Sequence, residues 1–199
     1  MPGSSSSLHV PPPSGNDFPL GDFRTEGGAV IPHASLRYRI IGRGAAPGHG
    51  WILVFHDLIG SAELEQWWGP LIGPGRALDP ERHRVLAANH LGSCFGSTGP
   101  RDWAERRRLP FPDLTPTDLA RATTMLIEHL GIQQIALAVG PSLGGMVALE
   151  WARRATVAVD HLVVVAAPAV SSPQAIAWHT AQRMAIEADP AWERGQYPP

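Results

Sequence analysis

Four unbroken apolar runs mark the chain, at residues 51–55, 85–88, 135–139 and 162–167. Runs of this length suit strands buried on both faces, as in a parallel sheet. Residues 23–41 follow a different pattern. Leu36, Tyr38 and Ile40 alternate with polar positions, and Gly27-Gly28 offers a turn, so two short strands joined there are predicted. Between the second and third runs, Leu119, Thr123, Leu126 and Leu130 recur at helical spacing. Thr115-Pro116-Thr117-Asp118 supplies that helix with an N-cap, a proline at its first position and an acid in its first turn. Gly131 ends it. Further helices are predicted over 143–153 and 173–188. Strands alternating with helices indicate an α/β fold, a mostly parallel sheet with helices on both faces. No internal repeat is visible.

Composition narrows this picture without redirecting it. Of the 199 residues, 44% are hydrophobic and 17% charged, the balance of a globular domain. A net charge of −2 gives no strong field to draw in nucleic acid or an anionic membrane. The single cysteine, Cys94, excludes an intrachain disulfide and suits a reducing compartment. No apolar run nears the roughly 18 residues of a membrane span. Residues 1–17 carry four consecutive serines and three consecutive prolines, with neither the basic start nor the apolar centre of a secretory signal. They read as a disordered tail, and the expected location is cytoplasmic. Residues 18–170 read as the α/β core.

The chemistry concentrates at Gly140-Pro141-Ser142-Leu143-Gly144, followed by Gly145. This is G-x-S-x-G between a strand and a helix, the pattern of a nucleophile elbow. The pentapeptide alone is a weak signal; its place after five apolar residues and before a helix makes it a strong one. The bland alternative is a glycine-rich turn whose serine merely caps the helix. An oxyanion hole needs two backbone N–H groups aimed at one oxygen. Leu143, the residue after the serine, is the first candidate. The second is Leu58, in the loop His56-Asp57-Leu58-Ile59-Gly60 that follows the first apolar run.

A longer motif adds to this. Asn89-His90-Leu91-Gly92-Ser93-Cys94-Phe95-Gly96-Ser97-Thr98-Gly99-Pro100 resembles a signature of homoserine O-acyltransferases of the α/β-hydrolase type. Matches follow in the same order at Trp67-Trp68, at residues 72–79, at Phe111-Pro112, at residues 142–152, and at Arg183-Met184-Ala185-Ile186 with Asp189-Pro190-Ala191-Trp192. The resemblance covers residues 56–197. It implies an α/β-hydrolase fold that stops before its last strands and most of its cap, with residues 171–199 opening the cap. It also implies transfer of an acyl group from acyl-CoA, through a serine acyl-enzyme, to the hydroxyl of homoserine or serine, in methionine or cysteine biosynthesis. Arg183 would bind the substrate carboxylate, for which a planar guanidinium suits bidentate contact. Acyl-CoA enters as co-substrate, with no resident cofactor, and the assembly it allows is a homodimer. Two departures stand out. Ser93 and Pro141 each replace a glycine, and the Gly-Ser-Cys variant is more similar to the succinyltransferase branch, which leaves acetyl-CoA and succinyl-CoA both open.

A working serine needs a base and a group to orient it. After Ser142 the histidines are His161 and His179, and the acids are Glu150, Asp160, Glu187, Asp189 and Glu193. Asp160 and His161 are expected just before a strand, at the end away from Ser142. His179 falls in the helix that opens the cap. None suits the role, and in the resemblance both partners lie past residue 199. The polypeptide by itself is therefore expected to be nearly inactive. Two other functions remain open: an esterase-like serine hydrolase of the same fold, and a non-catalytic binding or assembly partner. Cys94 is expected to be packed rather than reactive. Arg106-Arg107-Arg108 reads as a solvated run more readily than as a coenzyme A phosphate site. Trp67-Trp68 reads as packing. The nine histidines show no metal-ligand spacing, so no metal site is expected.

Overall fold

The structure, a computed structural model, describes residues 15–42, 50–101, 103 and 110–195. Six strands form one sheet: β1 (Asn16–Arg24), β2 (Val30–Ile41), β3 (Trp51–Val54), β4 (Arg84–Ala88), β5 (Gln134–Pro141) and β6 (Ala158–Val165). Their order across the sheet is β1-β2-β4-β3-β5-β6. The β1–β2 and β2–β4 pairs are antiparallel; the β4–β3, β3–β5 and β5–β6 pairs are parallel. The helices are α1 (Leu64–Trp68), α2 (Pro116–His129), α3 (Leu143–Arg154) and α4 (Pro173–Glu187). The alternation seen in the sequence is thus the architecture. β1 begins at Asn16, which pairs with Tyr38.

The apolar runs are continuous because both faces of the central strands are covered. Leu53 and Phe55 face a core built with Leu86, Ala88, Leu126, Ile127, Val147 and Trp151, the layer of α2 and α3. Ile52 and Val54 face a smaller core with Val85, Ala87, Leu64 and Leu78, against which Trp67 and Trp68 pack. The five-residue α1 has no sequence period to announce it, because it is shorter than two turns.

The α2 cap was legible residue by residue. Thr115 accepts from the Asp118 backbone N–H, and the Asp118 carboxylate accepts from the Thr115 N–H, a reciprocal capping box. The structure adds that Asp118 is fully buried and also accepts from the Glu26 N–H at 2.8 Å, tying α2 to the β1–β2 turn. Arg121 Nη1 reaches the same carboxylate at 3.4 Å. Asp118→Ala removes a cap and strands buried donors, so a loss of about 2–4 kcal/mol is expected. Urea unfolding measures it; a loss under about 1 kcal/mol would show the carboxylate to be dispensable.

The β3–β4 and β5–β6 connections leave in opposite directions from two neighbouring strands, β3 and β5. A crevice opens at such a switch point, outside the strands' carboxyl ends, and there α/β folds place ligands. The loop after β3 and the turn after β5 flank it. β6 stands at the free edge and exposes Leu162, Val163 and Val165.

Candidate active site

The turn after β5 places Ser142 at φ 50°, ψ −123°, a conformation that side-chain-bearing residues rarely adopt. It holds there because its neighbours over-determine it. The Ser142 N–H donates to Val165 O at 2.9 Å, and its carbonyl accepts from the N–H groups of Gly145 and Met146. Three glycines are required by contact rather than by habit. A Cβ on Gly140 would lie 2.3 Å from Gly144 O, one on Gly144 would lie 2.2 Å from Phe55 O, and one on Gly145 would lie 2.6 Å from the Ala167 Cβ. Pro141 is accommodated after Gly140, pairing with Val165 at the end of β5.

The cap geometry bears on the two readings of this serine. Ser142 occupies the N-cap of α3, but its side chain makes no capping hydrogen bond, and the residue is exposed. Its hydroxyl is therefore presented rather than spent on the helix. The strain leads to a prediction. Ser142→Gly relieves the positive φ, worth about 1–3 kcal/mol, against about 0.5–1 kcal/mol of added chain entropy. Net stability should rise, read as a higher urea midpoint; an unchanged or lower midpoint would show that the turn is not strained.

Leu143 is the first residue of α3, where helical N–H groups have no intrahelical acceptor and the dipole is positive. Leu58 sits in the loop after β3, exposed along with Ile59. Asp57 turns this loop: its carboxylate accepts from the N–H groups of Ile59 and Gly60, so the turn does not consume the Leu58 N–H. The two loops meet because β3 and β5 are neighbours, with the Phe55 N–H donating to Val139 O at 2.9 Å.

Behind the Leu58 loop lies a pair that the sequence reading did not single out. His56 and His90 are buried, with ring centroids 4.0 Å apart. Burial holds His56 below the ordinary imidazole value. His90 is lowered to about 3, by burial first and then by the neighbouring His56 ring. The signal was a histidine directly after β3 and another just after β4, but their pairing depends on those strands being adjacent.

The remaining candidates are not gathered here. Arg183 lies on α4, exposed, and donates to Thr180 Oγ1 at 3.2 Å. Asp160 and His161 lie within β6, not before it, because pairing with β5 extends the strand back to Ala158. They remain at the end away from the elbow, and the Asp160 carboxylate accepts from Gln134 Nε2. His179 lies on the exposed α4. Among the described residues no histidine is hydrogen-bonded to Ser142 Oγ. Cys94 is exposed, not packed as expected. The inward positions of its loop belong instead to Asn89, which donates to Phe95 O, and to Ser97, which donates to Asn89 O. The run Arg106-Arg107-Arg108 lies outside the described residues. Among the described residues no group of three acidic, histidine or cysteine side chains could hold a metal, and no helix is long and apolar enough to cross a membrane.

Comparison with known proteins agrees with the fold. Residues 50–199 match the alpha/beta hydrolase fold family. The homoserine O-acetyltransferase of Thermus thermophilus is 42% identical over 223 aligned positions, covering 98% of this chain and 58% of that protein. The crystal structure of homoserine O-acetyltransferase from Staphylococcus aureus superposes with a TM-score of 0.78 at 30% identity, over 89% of this chain and 54% of that one. An acetylester hydrolase from Corynebacterium glutamicum superposes with a TM-score of 0.82 at 25% identity, over 92% and 52%. The chain belongs to the alpha/beta hydrolase fold family, is similar to homoserine O-acetyltransferases, and spans about half the length of the curated relatives it matches.

Proposed function

We propose that this chain carries the nucleophile of an acyl-CoA-dependent O-acyltransferase. The observation that carries the reading is Ser142, held exposed at positive φ before α3 with its hydroxyl free of the helix cap. Ser142 Oγ attacks the thioester carbonyl, the oxyanion takes the Leu58 and Leu143 N–H groups, and the coenzyme A thiol leaves. The hydroxyl of homoserine or serine then attacks the acyl-enzyme and regenerates Ser142. Arg183 binds the acceptor's carboxylate. Acetyl-CoA is the favoured donor, because the relatives are named homoserine O-acetyltransferases; Ser93 is the reason to include succinyl-CoA. A cytoplasmic location and a homodimer go with the reading.

Peptide mass mapping tests it. After prolonged incubation with acetyl-CoA or succinyl-CoA, the peptide containing Ser142 should gain the acyl mass, and homoserine or serine should remove it. Labelling that persists in Ser142→Ala would sink the reading. The second reading is an ester hydrolase using water, favoured by the superposition on an acetylester hydrolase. Loss of the acyl group at one rate with and without amino acid would select it.

A further inference from the structure

The pair behind the Leu58 loop has a fixed chemistry. His56 Nδ1 lies 2.7 Å from Asp57 O, a carbonyl that can only accept, so Nδ1 carries the proton. His56 Nε2 lies 3.1 Å from the backbone nitrogen of His90, whose N–H can only donate, so Nε2 is bare. His90 Nε2 lies 3.0 Å from His56 O and therefore carries its ring's proton. The contacts are reciprocal: the backbone of His90 serves the ring of His56, and the ring of His90 serves the backbone of His56. Each ring is thereby committed to one neutral tautomer.

The His56 carbonyl has a second neighbour. A Cβ on Gly144 would stand 2.6 Å from it, so the first turn of α3 rests against the same oxygen. This carbonyl is wedged between the His90 imidazole and the helix that starts one residue after Ser142. Two residues beyond it is Leu58; next to Gly144 is Leu143. From this geometry we infer that His90 is a positioning residue, whose neutral ring clamps the His56 peptide against α3 and so fixes the separation of the Leu58 and Leu143 N–H groups. The inference rests on the oxyanion reading above for its functional meaning, not for its geometry.

A clamp of two neutral imidazoles is sensitive to acid. A proton on His56 Nε2 would face the His90 N–H donor to donor, and a proton on His90 would set a charge against the partner ring. The charged group facing His56 is Asp57, on its own loop, and it favours protonation. His90 is faced by His56. From the first turn of α3 the residue against this pair is Gly144, which carries no charge. Both imidazoles are depressed in the closed state. The clamp is therefore at full strength above the ordinary value near 6.5 and weakens as pH falls below it, down to about 3 for His90. His90 alone should lower the closed-to-open ratio about tenfold per pH unit in that window.

Histidine-labelled NMR of the unmodified chain reads both features. The expected result is His56 as the Nδ1–H tautomer and His90 as the Nε2–H tautomer at pH 7, with protection of the buried His90 N–H falling about tenfold per unit below pH 6.5. His90→Leu should take the Leu58 amide from an ordered order parameter, roughly 0.85, to a flexible one below about 0.6, and His90→Gln, which keeps a neutral donor, should restore it. Should His90→Leu not fold, the unmodified chain between pH 7 and 5 supplies the same readout. Either ring in the opposite tautomer, a titration near 6.5, or an ordered Leu58 in folded His90→Leu would overturn the inference. None of these readouts needs turnover. A failed clamp leaves acylation of Ser142 standing, and an intact clamp without acylation counts against the acyl-transfer reading alone.

Discussion

Gly144→Ala is expected to lower stability by about 3 kcal/mol or more, the upper range for overpacking in a filled core. The new Cβ would sit 2.2 Å from Phe55 O and 2.6 Å from His56 O, and both are backbone of the segment directly after β3. A flexible side chain could move aside; this backbone is held, Phe55 N–H by Val139 O and His56 O by the His90 ring. Relief would require α3 to lift from the sheet, taking Val147, Ala148 and Trp151 out of the core. Gly27 provides the control. The nearest atom to its missing Cβ is Thr25 Oγ1 at 3.8 Å, an ordinary contact, so alanine there should change stability by less than about 1 kcal/mol. Urea midpoints at a constant m-value decide it. A Gly144→Ala shift worth under about 1 kcal/mol would mean that the packing of the elbow helix on β3 is looser than drawn.

The second large effect is on rate. The polypeptide Met1–Pro199, purified by itself, should accelerate acyl transfer from acetyl-CoA by only about 10³–10⁴ over water, the residue left when a triad lacks a member. Enzymes of ordinary efficiency reach at least about 10⁶. The reason lies in the sheet. Asp160 and His161 occupy the first half of β6, paired near Gln134 and Leu137, while Ser142 follows the far end of β5. His179 is carried on α4, a helix with no buried residue. The presented hydroxyl and the proposed oxyanion donors remain, and among the described residues no histidine is hydrogen-bonded to Ser142 to take the proton. Stopped acyl-CoA assays with Ser142→Ala as the blank measure the difference. Turnover at enzymatic rates, lost in Ser142→Ala, would show that a base is present after all.

Much of the candidate site is legible in the sequence. The G-x-S-x-G turn, its flanking strand and helix, and the loop after β3 follow from composition, because a tight strand-to-helix turn tolerates few residues beside its nucleophile. Leu58 and Leu143 are proposed as donors by the same rule. The neutral His56–His90 clamp does not follow from it. Its two residues are 34 positions apart, and nothing local couples them; their contact depends on β3 and β4 being neighbours in a parallel pair. Cys94 failed as an expectation for a related reason. Burial in a glycine-rich loop depends on which residues the loop turns inward, and Asn89 and Ser97 hold those positions through hydrogen bonds to backbone.

The sequence by itself determined the α/β alternation, the N-cap of α2 and the strand-to-helix turn at Ser142. Each is a local matter of periodicity, hydrogen-bonding groups or glycine sterics within a few residues. Only the tertiary structure decided what shares a neighbourhood. It set β3 beside β5, so that the first turn of α3 rests against the backbone leading to Leu58, and it placed His90 on the carbonyl of His56. It also separated two runs that look alike on paper. Residues 51–55 and 162–167 are equally apolar, yet the first is buried between two cores while β6 stands at the edge with Val163 and Val165 exposed. Strand order, not composition, governs that difference, because burial on the second side of a strand needs a neighbour that no local pattern encodes.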